Sequence, residues 1–111
     1  MNKQKVYSLL GLATKAGRVK SGEFSVEKSV KSYQGCLVIV AEDASDNTKK
    51  MFRNMCTFYE VPIYFFGTKD ELGHAMGKER RASLVLLDEG FANSIRKQLD
   101  MRENGGSVDV N

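Results

Sequence analysis

Two short runs of consecutive apolar residues constrain the fold of this chain more than any other feature. They are CLVIVA at residues 36–41 and SLVLL at residues 83–87. Neither run alternates apolar with polar side chains, as a strand with one face in water would, so each predicts a strand covered on both faces. A small chain covers both faces of a sheet by placing helices on each side, which predicts a layered α/β structure.

Amphipathic segments alternate with these strands. Apolar positions at i, i+3, i+4 and i+7 predict a first helix over residues 3–15. Ser45 and Asp88 are predicted N-caps of two later helices, and T-K-D-E at residues 68–71 has the sequence of a capping box that begins another. Five helices are therefore expected, counting a second helix that follows the first extended piece.

The second helix is expected to begin at Ser21 or Gly22, with Glu23 favourable in its first turn. Val26, Val30 and Tyr33 are predicted to form its inward-facing stripe.

Two further strands complete the predicted sheet, a short extended piece at residues 18–20 and a strand at residues 61–66. The sequence thus predicts a three-layer α/β/α sandwich around a small four-stranded mixed sheet. A chain of 111 residues fits one domain. We expect that domain to span residues 1–99, followed by a polar, mobile tail at residues 100–111.

Positive charge is concentrated in the first half of the chain. Residues 1–53 contain ten Lys and Arg against five Asp and Glu, whereas residues 54–111 contain seven against nine. This distribution favours a polyanionic partner, although a solvated basic surface would look the same.

No apolar run approaches the ~20 residues that span a bilayer, and the N-terminal segment lacks the pattern of a secretory signal, so we expect a cytoplasmic protein without a membrane partner.

Basic residues gather in two clusters. The first surrounds the second helix and comprises Arg18, Lys20, Lys28 and Lys31. The second lies in a loop before the last strand and comprises Lys78, Arg80 and Arg81. The start of the second helix is predicted to offer free N–H groups at Gly22, Glu23 and Phe24 to a phosphate or a base edge. These features favour nucleic-acid binding, with solvated loops as the alternative.

Enzymatic chemistry finds little support. His74 is the only histidine and is expected on the surface, while Cys36 and Cys56 are expected to be buried, reduced thiols. Asp43 and Asp88 follow strands and are predicted to cap helices or lie in solvated turns, with metal binding or acid–base work as the alternative. We therefore predict no catalytic residue, no metal site, no cofactor and no small-molecule substrate.

A longer segment resembles a known family. Residues 55–77, MCTFYEVPIYFFGTKDELGHAMG, look like the signature of ribosomal proteins of the L-seven-Ae and L-thirty-e type, which bind kinked RNA. The runs RVKSG before the second helix and LVIVAED after it occur in the same order in that family. The resemblance covers about residues 3–99, and the length and style of the chain also look like the bacterial stand-alone branch called YlxQ-like.

The resemblance implies an α/β/α sandwich that recognises a kink-turn or a related bent RNA with the start of the second helix and the loop after the E-L-G helix. Gly22 then matches the helix-opening glycine, and Lys28 matches a lysine that contacts phosphates or bases. Arg18 and Lys20 match basic positions before the helix, and Arg80 matches an arginine placed against an extruded nucleotide.

The chain departs from the family pattern G-x-N-E-x-x-K at two positions. Phe24 replaces the Asn and Ser25 replaces the Glu that hydrogen-bond the edges of G·A pairs in the family. Phe24 either stacks on a base or packs under the helix, and Ser25 keeps one hydroxyl. We therefore expect phosphate contacts to contribute more than base readout.

The sequence thus predicts a non-enzymatic protein that binds structured RNA containing a kink or an internal loop, with the ribosome as one setting. The alternative is a protein–protein adaptor on the same fold that has lost kink-turn specificity. An enzyme that uses Asp43 or Asp88 is a weaker third possibility.

Overall fold

A computed structural model of the protein describes the backbone of residues 2–107 and the side chains of residues 2–101. The helices within this range are α1 (Lys3–Lys15), α2 (Glu23–Lys31), α3 (Asp46–Tyr59), α4 (Lys69–Ala75) and α5 (Glu89–Ser107). The strands are β1 (Val19–Ser21), β2 (Leu37–Val40), β3 (Ile63–Phe65) and β4 (Ser83–Leu86). No helix in the described part of the chain is long and apolar enough to cross a bilayer.

The four strands form one mixed sheet in the order β1-β4-β2-β3. β2 pairs in parallel with β3 and antiparallel with β4, and β1 pairs antiparallel with β4. Every residue of the central strands β2 and β4 is buried, because helices cover both faces of the sheet. One core packs side chains of α1, α4 and α5 against the sheet, and the other packs those of α2 and α3. The predicted three-layer α/β/α sandwich is confirmed.

Capping side chains begin three of the helices where the sequence predicted. The Ser45 hydroxyl accepts a hydrogen bond from the backbone N–H of Thr48. Thr68 and Glu71 form the complete capping box of α4. The Asp88 carboxylate accepts from a backbone N–H in the first turn of α5, at 2.9 Å. These local sequence signals mark where the three helices begin.

The structure differs from the sequence prediction at the end of α2. Tyr33 was expected on the inner stripe of α2, but the helix ends at Lys31 and Tyr33 adopts a left-handed backbone with φ of 61°, so its ring points to solvent. α5 runs to Ser107, and the domain boundary at residue 99 stays a prediction. The mobility of the tail stays a prediction, and its residues 108–111 lie outside the described part of the chain.

The strand pairing brings two distant segments to the same edge of the sheet. Ser21, the last residue of β1, pairs with Leu84, and Val40, the last residue of β2, pairs with Ser83 at the start of β4. The start of α2 follows β1, and the loop after α4 precedes β4, so both lie at this edge. Both basic clusters predicted from the sequence include residues at this edge.

Candidate nucleic-acid interface

Gly22 sets the geometry of the start of α2. Its φ of 93° lies in a region that favours glycine, and its N–H donates to the Ser83 carbonyl at 3.1 Å. The sequence prediction that this N–H is free is therefore wrong, because the chain pairs it with β4. No side chain caps α2. The N–H groups of Glu23, Phe24 and Ser25 occupy the first turn, where the helix itself has no acceptor for them.

The basic loop, residues 78–81, packs directly against α4. The Lys78 N–H donates to the Gly73 carbonyl at 2.8 Å. Gly73 leaves no room for a side chain, because an added Cβ would lie 2.1 Å from the carbonyl oxygen of Glu79. Glycine is therefore required at this position of the E-L-G segment for the loop to approach the helix.

Arg81 joins the basic loop to the segment that precedes α2. Its Nε donates to the Ser21 Oγ at 3.1 Å, and its Nη1 donates to the carbonyl oxygens of Arg80 at 3.0 Å and Glu79 at 3.3 Å. Its own backbone N–H donates to the Lys69 carbonyl at 3.1 Å. The guanidinium thus braces the loop against the end of β1, and the two predicted basic clusters lie next to each other.

Two other predicted cations form ion pairs on the surface. Arg80 Nε lies 3.0 Å from the Asp70 carboxylate, and both side chains are exposed. Lys31 Nζ lies 2.7 Å from the Glu27 carboxylate one helical turn earlier, and this hydrogen bond raises the pKa of Lys31. Lys31 stands at the C-terminal end of α2, well away from the basic loop. It is therefore at most a peripheral part of the interface.

Phe24 lies on the surface of α2 with 77% of its area exposed. This observation excludes the alternative in which the ring packs under the helix. Phe24, Ser25 and Lys28 line an open groove of ≈ 380 Å³ together with Lys20 from β1. Arg18 and Lys78 are also exposed. The groove thus combines two lysines, several serine hydroxyls and one aromatic ring beside the uncapped start of α2.

The start of α4, which supports the basic loop, is held by a network that reaches α1. The Tyr7 hydroxyl donates to Glu71 Oε1 at 2.8 Å, and the Thr68 N–H donates to the same oxygen at 3.1 Å. The bond from Tyr7 is the largest cause that lowers the pKa of Glu71. Burial, followed by the bond to Glu71, raises the pKa of Tyr7 well above its ordinary value.

The two aspartates considered for catalysis each cap a helix. The Asp43 carboxylate accepts from the Lys69 N–H, the first of α4, at 2.9 Å, and the Asp88 carboxylate accepts from the Phe91 N–H in the first turn of α5. Burial raises the pKa of Cys56 to about 11, while Cys36 is half-buried and both thiols are free. His74 is exposed. Across the described side chains, no three His, Cys, Asp or Glu residues are grouped as a metal ion would need.

Sequence reasoning missed the partners that hold the basic loop. Arg81 contacts Ser21, and Arg80 contacts Asp70. Neither pair is separated by a number of residues at which a helix or strand period predicts a contact. The nearest signal was the E-L-G segment itself, whose glycine marks the close approach of the loop.

Residues 4–95 match the model of the ribosomal protein L7Ae/L30e/S12e/Gadd45 family. The chain belongs to this family. It is 40% identical to the Bacillus subtilis (strain 168) protein "RNA-binding protein YlxQ" over 85% of this chain and 94% of that protein, which places it in the YlxQ-like bacterial branch.

Solved structures of similar proteins agree with the fold. A Bacillus halodurans C protein with unknown function superposes with a TM-score of 0.84 at 38% identity, covering 86% of this chain and 97% of that one. The Giardia lamblia 15.5kD RNA binding protein superposes with a TM-score of 0.73 at 22% identity, covering 87% and 86%. The second likeness shows that the fold is shared at low sequence identity.

Proposed function

We propose that this chain is a non-enzymatic RNA-binding protein that recognises bent RNA on one surface, called here the RNA face. The RNA face comprises the start of α2 with Arg18, Lys20, Gly22, Glu23, Phe24, Ser25 and Lys28, and the basic loop of residues 78–81. The observation that carries the proposal is the bond from Arg81 to Ser21 at 3.1 Å, which makes these two segments one surface. Membership of a ribosomal-protein family and the RNA-binding names of its relatives support the same class of partner.

The RNA face has two kinds of group for a phosphate backbone. The uncapped first turn of α2 presents backbone N–H groups and the positive end of the helix dipole to an anion. Lys28 lies about one turn further along α2, and both Lys28 and Lys20 line the groove. A phosphate at the start of α2 therefore meets N–H donors and two flexible cations at once.

Phe24 and Ser25 occupy the positions at which the family pattern has the base-reading Asn and Glu. An exposed ring stacks on any base, because every base has a π-face, whereas a hydroxyl gives a single hydrogen bond. We therefore expect this protein to discriminate bent from straight RNA by the path of the backbone more than by the identity of bases. With about four phosphates neutralised, log K should fall with log salt at a slope of roughly −3 to −4.

Ribosomal RNA is the first RNA to test, because the family is named for ribosomal proteins. The proposed setting is the cytoplasm, in agreement with the sequence prediction.

The direct test is a titration of the protein against a kink-turn hairpin, a straight duplex and total cellular RNA at low salt. We expect the kink-turn hairpin to bind most tightly. Lys28→Ala and Arg80→Ala should each weaken that binding by about 0.5–2 kcal/mol. Lys97→Ala is the matched control, since it removes an exposed lysine from α5, on the other side of the sheet.

Each failure of this test has a separate meaning. If none of the three RNAs binds, the RNA-binding proposal is wrong and the adaptor alternative takes its place. If the hairpin binds but neither variant changes the affinity, the RNA face is wrongly assigned. If hairpin and duplex bind equally, the protein does not select bent RNA.

A further inference from the structure

An exposed aromatic cluster, consisting of Tyr33, Phe58 and Tyr59, lies at the C-terminal ends of α2 and α3. The ring centroids of Tyr33 and Tyr59 are 5.5 Å apart with their planes at 69°. Those of Phe58 and Tyr59 are 4.9 Å apart at 76°. Tyr59 therefore sits between the other two rings, and each contact is edge-on.

The two outer rings are available to a ligand. Tyr33 is 76% exposed and Phe58 is 77% exposed, although both are large apolar side chains. Tyr33 is also held in a left-handed backbone conformation, which disfavours residues other than Gly, Asn and Asp. Folding alone gains little from an exposed aromatic ring at a strained position.

The exposed surface of α2 connects the aromatic cluster to the RNA face. Phe24 and Lys28 belong to the RNA face, and together with Glu27 and Lys31 they line a second groove of ≈ 230 Å³ along the helix. Lys31 ends this groove beside the aromatic cluster. Lys31 precedes Tyr33 by two residues, and the Tyr33 ring contacts the Tyr59 ring at 5.5 Å between centroids. The surface from Phe24 to Tyr59 is therefore continuous.

We propose that the aromatic cluster binds an unpaired stretch of RNA that continues from the bent segment seated on the RNA face. This proposal rests on the proposed function and extends its substrate class to bent RNA with a single-stranded extension. Tyr33 and Phe58 stack on bases of the extension, and Lys28 and Lys31 lie along its phosphates. Aromatic rings interleaved with lysines are the usual composition of such sites, because stacking tolerates any base.

The spacing gives the length of the extension. Phe24 and Tyr33 are nine residue steps apart. The part of this distance that lies within α2, from Phe24 to Lys31, rises about 10 Å, and Tyr33 lies beyond the end of the helix. Stacked nucleotides repeat every ~3.4 Å, so about four nucleotides bridge the two positions. Shorter extensions reach the aromatic cluster only where their nucleotides unstack and extend.

A nucleic-acid ligand fits this surface better than a protein. Besides the aromatic rings, the large exposed apolar side chains among the described residues are Leu12 and Met101. Those two belong to α1 and α5, which cover the opposite face of the sheet. Protein–protein interfaces share the aromatic rings but are depleted in lysine, whereas the surface beside the aromatic cluster carries Lys28 and Lys31.

The test compares a kink-turn hairpin without an extension with hairpins whose single-stranded extensions have about two, four, six or eight uridines. We expect the affinity of the wild-type protein to rise by roughly 5- to 100-fold once the extension reaches about four nucleotides. Phe58→Ala and Tyr33→Asn should each remove most of this gain and leave the affinity for the hairpin without an extension unchanged. Asn is used because it tolerates the left-handed backbone of Tyr33.

Leu12→Ala is the matched control, since it removes an exposed apolar side chain from α1, and it should behave as the wild type at every length. The proposal is supported if Phe58→Ala and Tyr33→Asn lose the gain in affinity from the extension while Leu12→Ala keeps it. If the hairpin without an extension binds but no extension adds affinity, or if the variants keep the gain, the aromatic cluster does not bind RNA and the proposed function stands. If no hairpin binds at all, both proposals fail.

Discussion

The two halves of the RNA face are built in opposite ways. The basic loop is tied to the rest of the chain through Gly73, the ion pair with Asp70 and the hydrogen bonds of Arg81. The start of α2 has no side-chain cap, and its groove is lined by Lys28 and the exposed ring of Phe24. One half has its polar groups partly satisfied within the protein, and the other presents them to solvent.

Because of this difference, we expect the two halves to contribute differently to the stability of the protein and to RNA binding. Substitutions in the braced basic loop should change the stability of the protein and the position of its cations together. Substitutions at the open start of α2 should change RNA binding alone, because little of the fold depends on those side chains. The four predictions below test this contrast.

The largest effect is expected from Gly73→Ala. An added Cβ would lie 2.1 Å from Glu79 O and 2.6 Å from Glu79 C, so the backbone of the basic loop must move away from α4. We expect the free energy of unfolding to fall by about 2–3 kcal/mol, as for an overpacked core. The affinity for a kink-turn hairpin should fall with it, since Arg80 and Arg81 are displaced.

Gly77→Ala is the control for this substitution. Gly77 lies beside the same loop with a φ of +70°, but a Cβ there would contact nothing within 4 Å. It should therefore cost only the ~1–2 kcal/mol of a left-handed alanine. Urea denaturation measures the stability of both variants. Equal losses would show that the close contact with Gly73 does not position the basic loop.

Arg81→Lys tests the brace itself. Lysine keeps the charge but lacks the planar fork that reaches the Ser21 hydroxyl and two loop carbonyls at once. We expect a loss of about 1–2 kcal/mol in stability and weaker RNA binding with an unchanged dependence on salt. Lys28→Ala should also weaken RNA binding, but it should leave stability unchanged and make the slope of log K against log salt shallower by about one. If both variants gave the same profile, the two halves would not differ in the proposed way.

The fold was readable from the sequence to a large extent, because its signals are local. The apolar runs of β2 and β4 predict strands buried on both faces, and both are. Ser45, Thr68 and Asp88 begin their helices by contacts within four residues. Tyr33 was misplaced because periodicity alone does not show that α2 ends two residues earlier.

The candidate site was readable only in part, because its brace depends on tertiary contacts. The two basic clusters were predicted from their charges, but the contact of Arg81 with Ser21 spans 60 positions. The pairing of Arg80 with Asp70 likewise depends on how α4 and its loop pack. The exposure of Phe24 depends on which face of α2 the sheet covers. These facts follow from packing, which no sequence period reports.

The third prediction concerns the dependence of stability on pH. The pKa of Glu71 is lowered in the folded protein, chiefly by the Tyr7 hydroxyl. Its contribution to stability is therefore present above about pH 4.3 and is lost as the pH falls through the lowered value. Tyr7→Phe should reduce stability at about pH 7 by about 1 kcal/mol, and the difference from the wild type should narrow at about pH 3.

Thermal unfolding of both proteins at the two pH values measures this effect, with Tyr33→Phe as the control because it removes a hydroxyl from an exposed ring. A difference that stays constant with pH would mean that Tyr7 acts by packing alone. A narrowing difference would show that the bracing of α4, and with it of the basic loop, extends to α1.

The smallest effect, and the only gain of affinity, is expected from Asp70→Asn. Asp70 holds Arg80 at 3.0 Å in an exposed surface pair, and such pairs contribute about 0–1 kcal/mol to stability. The substitution releases Arg80 to the RNA and removes a negative charge beside its path, so we expect roughly two- to fivefold tighter binding to the kink-turn hairpin at low salt. Glu89→Gln changes the net charge equally at the opposite edge of the sheet and should leave the affinity unchanged. Weaker binding by Asp70→Asn would mean that the ion pair positions Arg80 for RNA, in which case the braced half acts through the orientation of its cations more than through their availability.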